Sequence, residues 1–193
     1  MASITTKFTS YSTVSRVGSF GGAQNWFTPD NASVEDTNAA TYTKASGATG
    51  SGYTNYLKCS NLVDSVPVGS TIDGLFLRIK RCRYTPSSGN LNVYDETILF
   101  DYLGSQSNNK ADLSTDYPLD PNFQFKEYGS SSDKWGMSLT DSIINSDDFS
   151  LLVACTITTD ISFSFAAPRI DYIELTVSYS TPAPTGSRVF LIT

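Results

Sequence analysis

The acidic side chains are the first residues in this sequence with the means to do chemistry. Asp30, Asn31, Glu35 and Asp36 lie close together, and Asp147 and Asp148 are adjacent. Oxygen donors at such spacings suit calcium, although acidic turns more often only solvate a loop. The chain has no histidine, so neither a Ser-His-Asp nor a Cys-His nucleophile can be assembled. Its three cysteines, Cys59, Cys82 and Cys155, are far apart and form no CxxC pair, which leaves a zinc ion without a ligand set. They read as small buried hydrophobes. No spacing singles out two carboxylates for glycoside cleavage, and no GxxxxGK[ST] phosphate loop is present. The expectation is a non-enzymatic chain with no cofactor and no metal. Four aromatics, Trp26, Tyr53, Tyr56 and Tyr128, are candidate stacking surfaces for sugar rings, with packing against the core as the plainer reading of the two tryptophans, Trp26 and Trp135.

The elements that must position these groups are strands. From Ile173 the apolar residues fall on alternate positions, Ile173, Leu175, Val177 and Tyr179, while Glu174, Thr176 and Ser178 face the other way. That period of two describes a strand with one face on a core and one in water. Residues 72–82 repeat the pattern, with Leu75, Leu77 and Ile79 opposite Arg78 and Lys80. Residues 39–44, 53–62, 91–103 and 149–158 complete the expected strands. The last of these is so apolar that it reads as a central strand. Residues 45–52, rich in Gly and Ser, are expected to be a loop, and residues 104–133 a long polar connection of the kind that usually has a function or a partner contact. A bend is expected at Pro168 and Arg169, and one helical turn near residues 139–145 capped by Thr140 or Asp141. Strands between turns with little helix predict an all-β, jelly-roll-like β-sandwich.

The division follows the composition. Residues 1–20 form an edge strand or an arm reaching a neighbour, residues 21–180 the sandwich, and residues 181–193 a linker ending in an apolar tail. With 193 residues the chain is long enough for one domain with a real core. Thirteen basic against 19 acidic residues give a net charge of −6, which opposes binding to a nucleic-acid backbone. The basic run at residues 78–83 sits in a strand pattern and reads as a solvated face. No signal-peptide pattern or long apolar run is visible, so folding in a reducing cytoplasm, without a membrane partner, is expected.

Several short motifs occur in a particular order. Trp26 precedes Pro29, Asp30, Asn31 and Ala32, and Thr41, Tyr42 and Thr43 follow. Tyr56 and Leu57 come next, then the run from Val66, Pro67, Val68, Gly69, Ser70 and Thr71 into Ile72, Asp73, Gly74 and Leu75, then Asn109, Lys110 and Ala111. Tyr128, Gly129, Asp133, Lys134, Trp135 and Gly136 lead to Leu139, Thr140 and Ile143, and the series ends in Ile170, Asp171, Tyr172 and Ile173. In this order the chain resembles virion proteins of tailed bacteriophages built on jelly-roll modules, over roughly residues 24–180. The motif residues make sense as scaffold, with Trp135 and Gly136 expected to seal one end of the sandwich. The resemblance implies a structural protein of the virion, made in the host cytoplasm, with a capsid decoration or cement role as the first expectation. It leaves a tail, neck or fibre position open, and a carbohydrate-binding module remains a separate alternative. The implied partners are the major capsid protein or other virion proteins and further copies of the chain; a trimer would suit local threefold positions. The residues expected to reach a partner are Val189, Phe190, Leu191 and Ile192, with Ile4 and Phe8 of the N-terminal arm. The tail either returns to its own sheet or adds a strand to a neighbouring subunit.

Overall fold

The structure, a computed structural model, describes residues 1–16, 25–43, 50–84, 90–160 and 166–181. Two six-stranded antiparallel sheets pack face to face. In chain order the strands are β1 (Ala2–Thr6), β2 (Phe8–Val14), β3 (Trp26–Phe27), β4 (Ala40–Thr43), β5 (Gly50–Tyr53), β6 (Tyr56–Leu62), β7 (Thr71–Arg83), β8 (Leu91–Tyr102), β9 (Ser105–Gln106), β10 (Gln124–Gly129), β11 (Phe149–Thr159) and β12 (Ala166–Ser180). Sheet A runs β10-β7-β12-β4-β3 and sheet B β2-β6-β11-β8-β9. Beyond the halves of β12 and β11 that pair with β4 and β6, β1 pairs with β12 and β5 with β11. From β4 onward, β4-β12-β7-β10 faces β6-β11-β8-β9, which is the strand order of a jelly roll. The all-β sandwich expected from the period-two pattern is therefore what the chain forms.

The alternation explains the layers. Leu75, Leu77 and Ile79 on β7 and Ile173, Leu175 and Val177 on β12 are fully buried, and Ile173 sits opposite Ile79 and Leu175 opposite Leu77. Across the core they meet Val93, Ile98 and Phe100 of β8 and Leu151, Val153 and Ile157 of β11. The outward residues of sheet A pair by charge. Arg78 lies 2.5 Å from Glu174, and Lys80 reaches Asp171 at 2.8 Å and Glu35 at 3.1 Å. The solvated face expected of residues 78–83 is thus a row of ion pairs at Arg78 and Lys80, whereas Arg81 of the same run is buried in the core.

Four expectations about the bounds of elements differ from the structure. Gly50–Tyr53 is strand β5, because its backbone pairs with β11 whatever its side chains. Thr54 and Asn55, both buried, separate it from β6, so the single strand expected over 53–62 is two. Pro168 and Arg169 lie inside β12, where a register shift accommodates them. The connection over residues 104–133 contains the two-residue β9 and β10, an edge strand with Tyr128 on its inner face. The helical turn is α1 (Asp141–Ile144), with Thr140 Oγ1 accepting the Ile143 amide proton.

Candidate functional site

Residues expected to carry function separate into three places. In the N-terminal segment, β1 and β2 are edge strands of opposite sheets. Phe8 is wholly buried and Ile4 is half-buried opposite Val177, so both side chains serve the core of their own chain. Val189, Phe190, Leu191 and Ile192 lie outside the described residues.

Two of the four aromatics are inside the molecule. Trp26 is 3% exposed, donates from Nε1 to the Asn55 carbonyl at 2.9 Å and meets Tyr42 edge-on. Tyr128 is 5% exposed and donates to Asp95 Oδ2 at 2.8 Å. Tyr53 and Tyr56 share the outer face of sheet B, where the Arg16 guanidinium lies 4.7 Å from the Tyr53 ring centre and 5.5 Å from that of Tyr56. Arg16 also pairs with Glu96 at 2.7 Å, and Thr156 donates to the other Glu96 oxygen at 3.2 Å. Tyr94 lies on the same face opposite Thr156. Register builds this cluster: a shift between Ala154 and Cys155 makes Glu96 the extra residue of a bulge, so Asp95 faces in while Tyr94 and Glu96 face out.

The third place is a polar cluster in the core. Arg81 continues the inward row of Leu75, Leu77 and Ile79, and it is 2% exposed. Its guanidinium pairs with Asp95 of the opposite sheet, donates to the Tyr128 hydroxyl at 2.8 Å and stacks 3.9 Å from the Tyr117 ring centre. Asp95 also accepts from Tyr117 at 3.0 Å, and Tyr117 contacts Cys155 Sγ at 3.3 Å. Burial works against the Arg81 charge, but Tyr117, Tyr128 and Asp95 outweigh it and hold its pKa above the ordinary value. Burial also raises Tyr117 and Tyr128, which Asp95 reinforces. The Cys155 thiol is pushed up to about 12 by burial. The Arg81–Asp95 pair, with the tyrosine hydroxyls bonded to it, ties the two sheets together. Beside Arg81 a half-open pocket of about 90 Å³, bordered by Asp116, Gln124 and Lys126, is well below the roughly 300–1,000 Å³ of ligand pockets.

Among the described residues no cluster of three or more His, Cys, Asp or Glu side chains is placed to hold a metal. The calcium candidates are dispersed: Glu35 pairs with Lys80, Asp36 accepts from both the backbone and side-chain nitrogens of Asn38, and Asp147 and Asp148 are exposed. The three cysteines are free thiols, all buried.

The scaffold motifs converge at the end of the sandwich that holds Trp135. Trp135, fully buried, donates from Nε1 to the Leu75 carbonyl at 2.9 Å and packs edge-on against Phe100. Residues 130–132 cross Gly74 so closely that a Cβ there would lie 2.4 Å from the Ser131 carbonyl carbon. Asn108 donates its amide proton to the Trp135 carbonyl, and Lys110 pairs with Asp133 at 2.8 Å. Sequence reasoning missed Arg81, Asp95 and Glu96 as partners; the even spacing of Arg81 from Leu75 was the one available signal. The sequence matches no protein-family model and no curated protein.

Proposed function

We propose that the protein is a non-enzymatic structural component of a tailed-phage virion, acting as a capsid decoration protein that adds a rigid module over contacts between major capsid subunits. The supporting observation is the interlocked end of the sandwich. There the motifs behind the resemblance, from Gly74 through Lys110 to Trp135, touch one another as scaffold. Together with the ion pair joining the sheets, they give a module suited to bearing load. Partner contacts in this reading come from the tail residues Val189, Phe190, Leu191 and Ile192, which supply an apolar strand to a neighbour.

Immunogold labelling of intact particles tests the reading. Label spread over the head supports decoration, label confined to the tail or neck moves the protein there, and unlabelled particles refute a virion role. A chain truncated after residue 188 is expected to stay folded and to bind particles more weakly. Undiminished binding by the truncated chain removes the tail from the mechanism.

A further inference from the structure

The outer face of sheet B holds a cluster that the scaffold does not require. Thr156 pairs with Tyr53 on one side and Tyr94 on the other, so the three form one row across β5, β11 and β8. Two strand spacings place the tyrosine backbones about 10 Å apart. Arg16 and Glu96 lie across the row and neutralise each other. Tyr53 remains 39% exposed even with the guanidinium over its ring. Among the described residues the buried Arg16 Nη1 has no acceptor. An unsatisfied donor beside an exposed ring costs free energy in the free protein, and native proteins keep few of them.

We propose that this face binds a neutral pyranose chain, with Tyr53 and Tyr94 stacking against sugar rings and Arg16 and Glu96 hydrogen-bonding the hydroxyls between them. A pyranose presents a C–H face that suits an aromatic ring, and a rim of hydroxyls that needs donors and acceptors side by side. The cluster supplies both in a self-neutralised form. A nucleic-acid backbone would require uncompensated positive charge, whereas the local cation is paired and the chain carries −6. A protein partner would call for a broad apolar patch, and the nearby outward residues Leu99 and Leu152 are each only 7% exposed. Arg16, held by Glu96 and by the hydrogen bond its backbone amide donates to Asn55 Oδ1, is already fixed over the Tyr53 and Tyr56 rings before a ligand arrives. The inference is independent of where the protein sits in a particle.

The test is an array of short neutral oligosaccharides of glucose, galactose, xylose and N-acetylglucosamine, with sialylated glycans alongside, followed by calorimetric titration of the full chain. At least one neutral class is expected to bind. Tyr53→Ala and Tyr94→Ala should each weaken it about tenfold, the scale of one lost stacking contact. Tyr53→Phe keeps the ring and should bind nearly as the parent does. Phe27→Ala, at an exposed aromatic of sheet A, should change nothing. Melting curves check that each variant is folded. Absence of neutral-sugar binding, binding of acidic glycans alone, or full binding by folded Tyr53→Ala and Tyr94→Ala would each overturn the proposal.

Discussion

Replacing Asp95 by Asn tests whether the buried pair holds the two sheets together. The Asp95 carboxylate accepts four hydrogen bonds. Arg81 Nη1 and the Tyr117 hydroxyl donate to one oxygen; the Tyr128 hydroxyl and the Asp112 amide donate to the other. An asparagine must turn its NH₂ toward one of these pairs. Turned toward Oδ2's partners it meets a backbone N–H that cannot reverse; turned toward Oδ1's partners it meets a guanidinium. In both cases Arg81, 2% exposed, keeps its charge without a counter-charge. Breaking a buried pair in this way costs about 3–5 kcal/mol. At roughly 2–4 °C per kcal/mol for a chain of this size, the melting temperature should fall by about 6–20 °C. Urea unfolding followed by tryptophan fluorescence, with calorimetry, measures both quantities. Removing the two charges together, Arg81→Met with Asp95→Leu, should recover more than half of the loss, because no lone charge is left behind. A change within about 0.5 kcal/mol for Asp95→Asn, the range of ordinary surface substitutions, would refute the reasoning.

Three further outcomes follow from the same contacts. Tyr117 and Tyr128 are raised, chiefly by burial, and Lys80 is raised, chiefly by Asp171, so each binds its proton more tightly when folded. The stability they contribute is complete below their ordinary values of about 10 and is lost as the pH climbs beyond it. Asp112, lowered chiefly by Lys126, and Asp133, lowered chiefly by Lys110, act in the opposite sense. Their contribution is complete above about pH 4 and is lost as the pH falls further. Urea midpoints should therefore form a plateau with shoulders at both ends, and a midpoint rising beyond pH 10 would contradict this. Gly74→Ala forces a Cβ onto the backbone of residues 130–132 and should cost about 1–3 kcal/mol, read as a lower urea midpoint. The thiols of Cys59, Cys82 and Cys155, buried and raised by that burial, should ignore a disulfide reagent at pH 8 and react fully once guanidinium unfolds the chain.

The strands were legible where side chains alternate, because burial on one face imposes a period of two directly on residue type. In β7 the same alternation extends beyond the aliphatic residues. Arg81 stands on the positions of Leu75, Leu77 and Ile79, and strict alternation places it in the core. A basic run invites the reading of a wet surface, and it fits Arg78 and Lys80 only. β5 and β10 were hidden for another reason. Gly50–Tyr53 is held by backbone pairing to β11, which leaves no mark on side-chain pattern, and β10 is an edge strand with one buried face of few residues.

The tyrosine cluster was half legible for a related physical reason. Tyr53 and Tyr56 are near in sequence, so both could be named as aromatics with a use, but nothing local ties them to Arg16, Tyr94 or Glu96. That assembly depends on non-local register: β2 must end beside Asn55, and β8 must carry its bulge at Glu96. Slipping β8 by one residue would turn Tyr94 inward and Asp95 outward, which would break the Arg81 pair and disperse the tyrosine row at once. The buried Arg81–Asp95 pair thus penalises the wrong register, and the same register presents Tyr94 and Glu96 on the outer face. Stability in the core and the candidate binding surface are set by one pairing choice, so a variant that loosens the Asp95 contacts should also disorder the face on the far side of its strand.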